Sequence, residues 1–275
     1  MPSSSLPLLQ AAPLGPPSAR LLWLPALGVP ARKYLRFAGL LAERGIAVGV
    51  HEWRGTGDCA RRPSRRDDWG YREWLLEDVP ASAEVLRRAF PEAAPLLGGH
   101  SIGGQMAVLG AALGLPADGV AIVASGVPHW RLFPSWRERF AVGGFGAALP
   151  LLTRAVGHYP GDRLGFAGRE AGQLMRDWAS TVRSGHYGGL RGLPTDLPAR
   201  IAALEVPLLG LRYVRDWLVP EASLGALLHA TASRAIHRDT LDDAAAGTRA
   251  DHFAWMREPA ATAARVAEWW RGISP

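Results

Sequence analysis

The sequence predicts an α/β fold in which a mostly parallel central sheet is flanked by helices. Three observations predict it. Short apolar runs alternate with helical stretches along the chain, the pattern of repeated strand–helix units. One such run passes through a glycine-rich turn, Gly98–Gly99–His100–Ser101–Ile102–Gly103–Gly104, straight into a helical stretch. The chain has 275 residues, of which 48% are hydrophobic, enough to bury a substantial core.

Taken in order, residues 1–19 are rich in Pro and Ser and are expected to be a flexible segment or a first strand. Residues 20–275 are expected to form one α/β domain. Leu21–Leu24 is a buried strand ended by Pro25. Arg32–Arg44 is helical, with Leu35, Leu40 and Leu41 at helical spacing and a stop at Gly45. Ile46–His51 is the next strand. Arg72–Phe90 is an amphipathic helix that Pro80 should kink or restart. Leu96–Gly98 is a short strand, Ser101–Leu113 an Ala/Gly-rich helix and Val120–Ala124 a strand. Later come strand Pro207–Tyr213, helix Ala222–His229, strand Ala232–His237 and a last helix near Pro259–Arg271. Between them, Gly126 to about Ala203 breaks the rhythm, with Trp130, Trp136 and Trp178 among Gly and Pro. Structureless loops of that length are uncommon in a compact domain. The stretch, about residues 127–203, reads as an inserted helical lid, with a further strand–helix unit as the alternative.

Composition narrows the partners. The formal net charge is +6, but the basic residues are scattered and nearly all arginine, Lys33 being the only lysine. The densest run, Arg61–Arg62–Pro63–Ser64–Arg65–Arg66, is followed at once by Asp67 and Asp68, as in a solvated loop. Nucleic acid is not expected as a partner. The one cysteine, Cys59, cannot form an intrachain disulfide and stands in no Cys/His arrangement. The N-terminus has no basic segment leading an apolar core, and no run of ~18 apolar residues occurs anywhere, so neither signal peptide nor membrane span is expected. The default location is cytoplasmic.

The chemistry lies in Gly99-x-Ser101-x-Gly103. A serine on a sharp turn between strand and helix is the nucleophile elbow of the α/β-hydrolase fold. Side chains two residues either side would collide across the turn, so both must be small. The following helix aims its unpaired amides at the site, which favours developing negative charge. Ser101 is therefore the candidate nucleophile. His100 beside it points elsewhere on so tight a turn and reads as structural.

A serine needs a base, and the base an orienting acid, in the chain order Ser, Asp or Glu, His for this fold. Asp216 follows the late strand Pro207–Tyr213 and is the candidate acid. Of eight histidines, His252 stands in the loop after the last strand and is the candidate base, with His237 the rival on the strand itself. Asp251, Asp242 and Asp243 are rival acids on less rigid ground. Two backbone amides should meet the oxyanion. Ile102 supplies one, and the loop Pro25–Ala26–Leu27–Gly28–Val29 the other, from Leu27 or alternatively Ala26. This chemistry calls for no cofactor and no metal.

Gly-His-Ser-Ile-Gly-Gly-Gln at 99–105 and Asp-His-Phe-Ala-Trp-Met-Arg at 251–257 resemble the α/β hydrolases related to the serine aminopeptidase and lysophospholipase groups. Gly28–Val29–Pro30–Ala31–Arg32–Lys33–Tyr34 and Tyr159–Pro160–Gly161–Asp162–Arg163–Leu164–Gly165 match the same pattern in outline. So does Trp53–Arg54–Gly55–Thr56–Gly57–Asp58, with Glu52 where Asp is usual and Cys59 where Ser is usual. The resemblance covers nearly the whole chain after Ala19. It implies the fold, the triad and the oxyanion positions, and fixes no substrate. Asp251 replaces the usual glycine before the base and would raise the base's pKa if close.

The expected reaction is acyl transfer from a small-molecule ester or thioester with an apolar acyl group, through Ser101, Asp216 and His252. An acyltransferase with the same triad, or a non-catalytic binding protein on this fold, are the alternatives.

Overall fold

The computed structural model describes residues 8–274. Of the N-terminal segment, residues 1–7 lie outside the described residues, while Leu8–Ala11 forms strand β1. In chain order there follow β2 (Ala19–Leu24), a 3-10 turn over Ala31–Tyr34, α1 (Leu35–Ala42), β3 (Ile46–His51), α2 (Tyr71–Glu73), a π turn over Trp74–Asp78, α3 (Val79–Ala89), β4 (Ala94–His100) and α4 (Ile102–Ala112). Then come β5 (Gly119–Val123), α5 (Trp136–Val156), β6 (His158–Pro160), α6 (Gly161–Leu164), β7 (Arg169–Ala171), α7 (Gly172–Ser184) and α8 (Leu197–Ala202). The chain closes with β8 (Leu208–Tyr213), α9 (Glu221–His229), β9 (Ile236–Leu241), α10 (Asp243–Ala246) and α11 (Ala260–Ile273).

Seven strands form one sheet in the order β1-β3-β2-β4-β5-β8-β9. Every neighbouring pair is parallel except β1 with β3. β3, with the sequence IAVGVH, is buried at every position, as a parallel strand covered on both faces must be. Alternation divides the core. Leu22, Leu24, Leu97 and Ile122 pack on one face, and Leu21, Trp23, Leu96 and Leu209 on the other. Register then sets the site: Leu24 pairs with Gly99, Val123 with Leu211 and Tyr213 with Leu241, so the loops that leave these strands gather at one edge.

Two elements differ from the sequence reading. The last strand is Ile236–Leu241, not Ala232–His237. It is an edge strand whose polar residues, His237, Arg238, Asp239 and Thr240, break up the apolar run, so hydrophobicity alone sets it too early. The expected helix 72–90 is split by the π turn ahead of α3. Pro80 has no amide to give the preceding turn, and the wider turn absorbs that loss.

The segment between β5 and β8 is ordered. The 21-residue α5 packs along α7, and Gly146 allows the approach, since a Cβ there would lie 2.7 Å from Val182 Cγ1. β6 and β7 make a separate antiparallel pair. Leu149, Tyr159, Met175 and Ala179 form a small core of their own, on which Leu27 of the loop after β2 also packs. Among the described residues no helix is long and apolar enough to cross a membrane.

Candidate active site

At the carboxyl edge of the sheet lies a cavity of about 80 Å³. Ser101, Ile102, Leu27 and His252 line it, together with Phe166 and Trp178 from the segment between β5 and β8.

Ser101 joins β4 to α4 with φ 55 and ψ −123, a strained conformation for a residue with a side chain. Its neighbours permit the turn. A Cβ on Gly99 would fall 2.3 Å from the Gly103 carbonyl carbon, and one on Gly103 would fall 2.0 Å from Leu24 O. Gly104 is required for another reason. A Cβ there would meet Ser125 Oγ at 2.6 Å, and that hydroxyl donates to Ser101 O across 2.6 Å. The Ser101 amide donates in turn to Val123 O at 3.0 Å. The end of β5 thus grips the turn at both its amide and its carbonyl.

Asp216 occupies the turn after β8. Its Oδ1 accepts the Leu218 and Val219 amides at 3.0 and 3.1 Å, and its Oδ2 accepts His252 Nδ1 at 2.8 Å. Both side chains are buried. With Nδ1 as donor, His252 keeps a lone pair on Nε2. No hydrogen bond joins the Ser101 hydroxyl to His252 among the described residues. Such contacts are often long in a free site and tighten with substrate.

The rivals are committed elsewhere. Asp251 Oδ1 accepts the Phe253 and Ala254 amides at 3.0 and 2.8 Å, and its Oδ2 pairs with Arg249 at 3.1 Å. It caps the short turn after His252 and does not address the ring. Asp242 caps α10 through the Ala245 amide, and Asp243 pairs with Arg215. His237 lines a different cavity, beside Arg265 and Trp269.

On the loop after β2, the Ala26 amide donates to Tyr34 Oη at 3.0 Å. The Leu27 and Ile102 amides have no protein acceptor among the described residues. Trp53 Nε1 holds the start of that loop through Pro25 O at 2.9 Å. Gly28, at φ +71, lies against the backbone of Ala167 and Gly168 so closely that a Cβ would be 2.4 Å from Gly168 N.

Three contributors were not legible as such in the sequence. Ser125 steadies the elbow. Tyr34 Oη lies 2.8 Å from His100 Nδ1, giving the structural histidine a partner. Glu170, on β7, is 6% exposed and accepts the Gly168 amide at 3.1 Å; burial pushes its carboxyl up to about 7. A polar residue beside a motif is the sole signal of this kind a sequence offers, and it names no partner. The basic run is absorbed locally: Arg61 pairs with Asp67, Arg62 bonds Cys59 O, and Arg65 bonds Arg154 O and Ala155 O. No group of three or more His, Cys, Asp or Glu among the described residues is placed to hold a metal.

Residues 15–244 match the family described as serine aminopeptidase, S33. No curated protein sequence matches. Among solved structures, a monoacylglycerol lipase of Paleococcus ferrophilus is similar with TM-score 0.62 and 16% identity, over 98% of this chain and 100% of that one. The esterase domain of a Rhodothermus marinus protein gives TM-score 0.63 and 19% identity, over 97% and 92%. A type II thioesterase from a yersiniabactin NRPS/PKS biosynthetic pathway gives TM-score 0.59 and 18% identity, over 99% and 100%. At these identities the structures speak to the fold.

Proposed function

Because the chain belongs to the serine aminopeptidase family of the α/β-hydrolase superfamily, and is a hydrolase by that membership, we propose that it cleaves carboxylic esters or thioesters through an acyl-enzyme formed on Ser101. The observation that carries the reading is the Asp216–His252 pair. A buried carboxylate held by two amides accepts Nδ1 at 2.8 Å, and the ring it orients shares a cavity with a serine on a strained elbow.

Ser101 Oγ attacks the carbonyl carbon as His252 Nε2 takes its proton. The carbonyl oxygen, now negative, receives the Leu27 and Ile102 amides. His252 returns the proton to the leaving oxygen or sulfur as the acyl bond breaks. Water then attacks the acyl carbon as His252 takes its proton, and His252 passes that proton to Ser101 Oγ as the acyl–Oγ bond breaks and the acid leaves. Asp216 keeps the ring in the donor-at-Nδ1 tautomer and stabilises the imidazolium that forms twice per cycle.

Ester or thioester cleavage is favoured over aminopeptidase action by the lining. Leu27, Ile102, Phe166, Trp178, Leu218 and Val219 dominate it, and it presents no carboxylate to receive a substrate's amino terminus. The segment between β5 and β8 would act as a lid, since Phe166, Ala167 and Trp178 all face this cavity.

The test is hydrolysis of p-nitrophenyl butyrate with labelling by a fluorophosphonate. The wild type should turn over the ester and take the label, and Ser101→Ala should do neither. Equal turnover by both proteins would remove the assignment.

A further inference from the structure

A second cavity, of about 560 Å³, lies on the other side of the turn that carries Asp216. Asp216 and Trp217 line it, whereas the next two residues, Leu218 and Val219, line the Ser101 cavity. One short turn is wall to both spaces.

Four arginines face this second cavity: Arg131, Arg139, Arg212 and Arg215. Arg215 pairs with Asp243 at 3.0 Å. The other three have no carboxylate partner among the described residues. Arg139 donates from Nε to Phe133 O at 2.7 Å, and the Arg131 guanidinium lies 5.0 Å from the Trp130 ring centroid. Neither contact neutralises the charge.

Arg212 is the most informative. It falls in the same side-chain row of β8 as Leu208 and Gly210, the row that α9 covers with Leu224 and Leu228. Strands buried on both faces carry apolar residues in such rows. Here the row ends in a guanidinium whose Nε is buried with no hydrogen-bond partner among the described residues. With no carboxylate partner among the described residues, that guanidinium leaves an unneutralised positive charge at the wall of the cavity. Besides Asp216, which is committed to His252 and two amides, two carboxylates line the cavity. Glu138 accepts the Ser135 amide and hydroxyl, and Glu221 is exposed in the first turn of α9; neither forms an ion pair with Arg212.

We propose that this cavity binds phosphate groups on the substrate's leaving arm, which makes the substrate a thioester of the coenzyme A kind. The inference rests on Ser101 acting as the acyl acceptor. The acyl group would lie in the Ser101 cavity, and the thiol arm would cross the turn at 216–220 to the arginines. Guanidinium groups match phosphate oxygens in fork geometry, and the exposed Trp217 ring offers a face for a base to stack on. The chemistry is that of the ester case. The acyl–sulfur bond breaks, the bond to Ser101 Oγ forms, and the departing thiolate takes the proton held by His252.

Three substrates with one acyl group separate the terms: butyryl coenzyme A, butyryl-N-acetylcysteamine, which lacks the phosphates, and p-nitrophenyl butyrate. The wild type should prefer the coenzyme A thioester over its truncated form by about tenfold or more in kcat/KM. Arg212→Gln should abolish most of that preference through KM, and Arg131→Gln, on an exposed turn, should reduce it. Both variants should cleave the truncated thioester within about twofold of wild type. Equal kcat/KM for the two thioesters, unchanged in Arg212→Gln, would overturn the proposal while ester turnover left the hydrolase reading standing. If wild type cleaves none of the three, the hydrolase reading falls, and calorimetry with coenzyme A then tests the cavity by itself. Binding weakened about tenfold in Arg212→Gln supports the site, and no binding overturns it. Inorganic phosphate binding as tightly as coenzyme A would also overturn the assignment to a thiol arm.

Discussion

Tyr34 Oη accepts the Ala26 amide at 3.0 Å and is hydrogen-bonded to His100 Nδ1 across 2.8 Å. The hydroxyl has one hydrogen and two lone pairs, so it can serve the amide and the ring together. Burial first, and the charge of His252 second, hold the His100 pKa well below its ordinary value. Burial likewise raises the Tyr34 hydroxyl, which stays protonated. The two bonds tie the loop bearing the Leu27 amide to the residue before Ser101. The Leu27 amide and Ser101 are thus held in one frame.

Tyr34→Phe removes both bonds and leaves the buried Ala26 amide without an acceptor. The expected cost is about 1–3 kcal/mol of stability, seen as a lower Tm. Loss of a whole oxyanion donor costs about 10²–10³ in kcat, so a displaced one should cost about tenfold. KM should hardly change, because the displaced amide meets charge that exists in the transition state. A raised KM with kcat intact would show that the tyrosine shapes substrate binding instead.

Asp216→Asn keeps the shape of the turn and changes the partner of His252. The amide can present its NH₂ to Nδ1 and favour the wrong tautomer. On that ground kcat should fall by about 10³–10⁴ with KM within a few-fold. Circular dichroism and Tm should stay close to wild type, since the Leu218 and Val219 amides still find an oxygen. Activity within tenfold of wild type would displace Asp216 from its role.

How much was legible followed from which forces are local. The elbow was legible because its requirement is steric and short-range: Gly99 and Gly103 must lack a Cβ whatever the rest of the chain does. β3 was legible because a strand covered on both faces is an unbroken apolar run. β9 was misplaced because an edge strand needs one good face, and Arg238 and Asp239 hide it. The choice between Ala26 and Leu27 as amide donor was illegible because Tyr34, eight residues on, claims one of the two amides. Tyr34 and His100 are 66 residues apart, and nothing in either local sequence refers to the other.

Glu170 gives a pH dependence of defined sign. Burial raises its folded pKa to about 7, above an unfolded value of about 4.3. Between those values the folded protein binds the extra proton, so stability declines as pH rises from about 4.3 to 7 and is level above. The full effect is on the order of 4 kcal/mol, since each pKa unit corresponds to about 1.4 kcal/mol. Glu170→Gln can still accept the Gly168 amide and carries no charge. Its Tm should match wild type near pH 4.5, exceed it increasingly up to about pH 7 and keep that lead at pH 8. Comparison of the two proteins cancels the opposing titrations of buried His51 and His100, both held low by burial. A constant Tm difference across that range would mean that Glu170 does not titrate there.

Cavity size sets the acyl group. The space at Ser101 is about 80 Å³, about half that of an apolar cavity of ~150 Å³ that binds benzene. Acyl chains of about two to four carbons should therefore fit, and longer ones should force side chains from their rotamers at ~1–3 kcal/mol. That predicts a fall of about 10–100-fold in kcat/KM from p-nitrophenyl butyrate to the octanoate. Phe166 lines the cavity beside Ala167, which holds φ 58, so the wall nearest the loop after β2 is one ring on a constrained turn. Phe166→Ala removes that ring and should move the optimum to longer chains, raising octanoate relative to butyrate by about tenfold. If the wild type already prefers octanoate, the segment between β5 and β8 must move away from the cavity during turnover. In that case Phe166→Ala should leave the chain-length profile unchanged, and the two results together distinguish a fixed wall from a moving one.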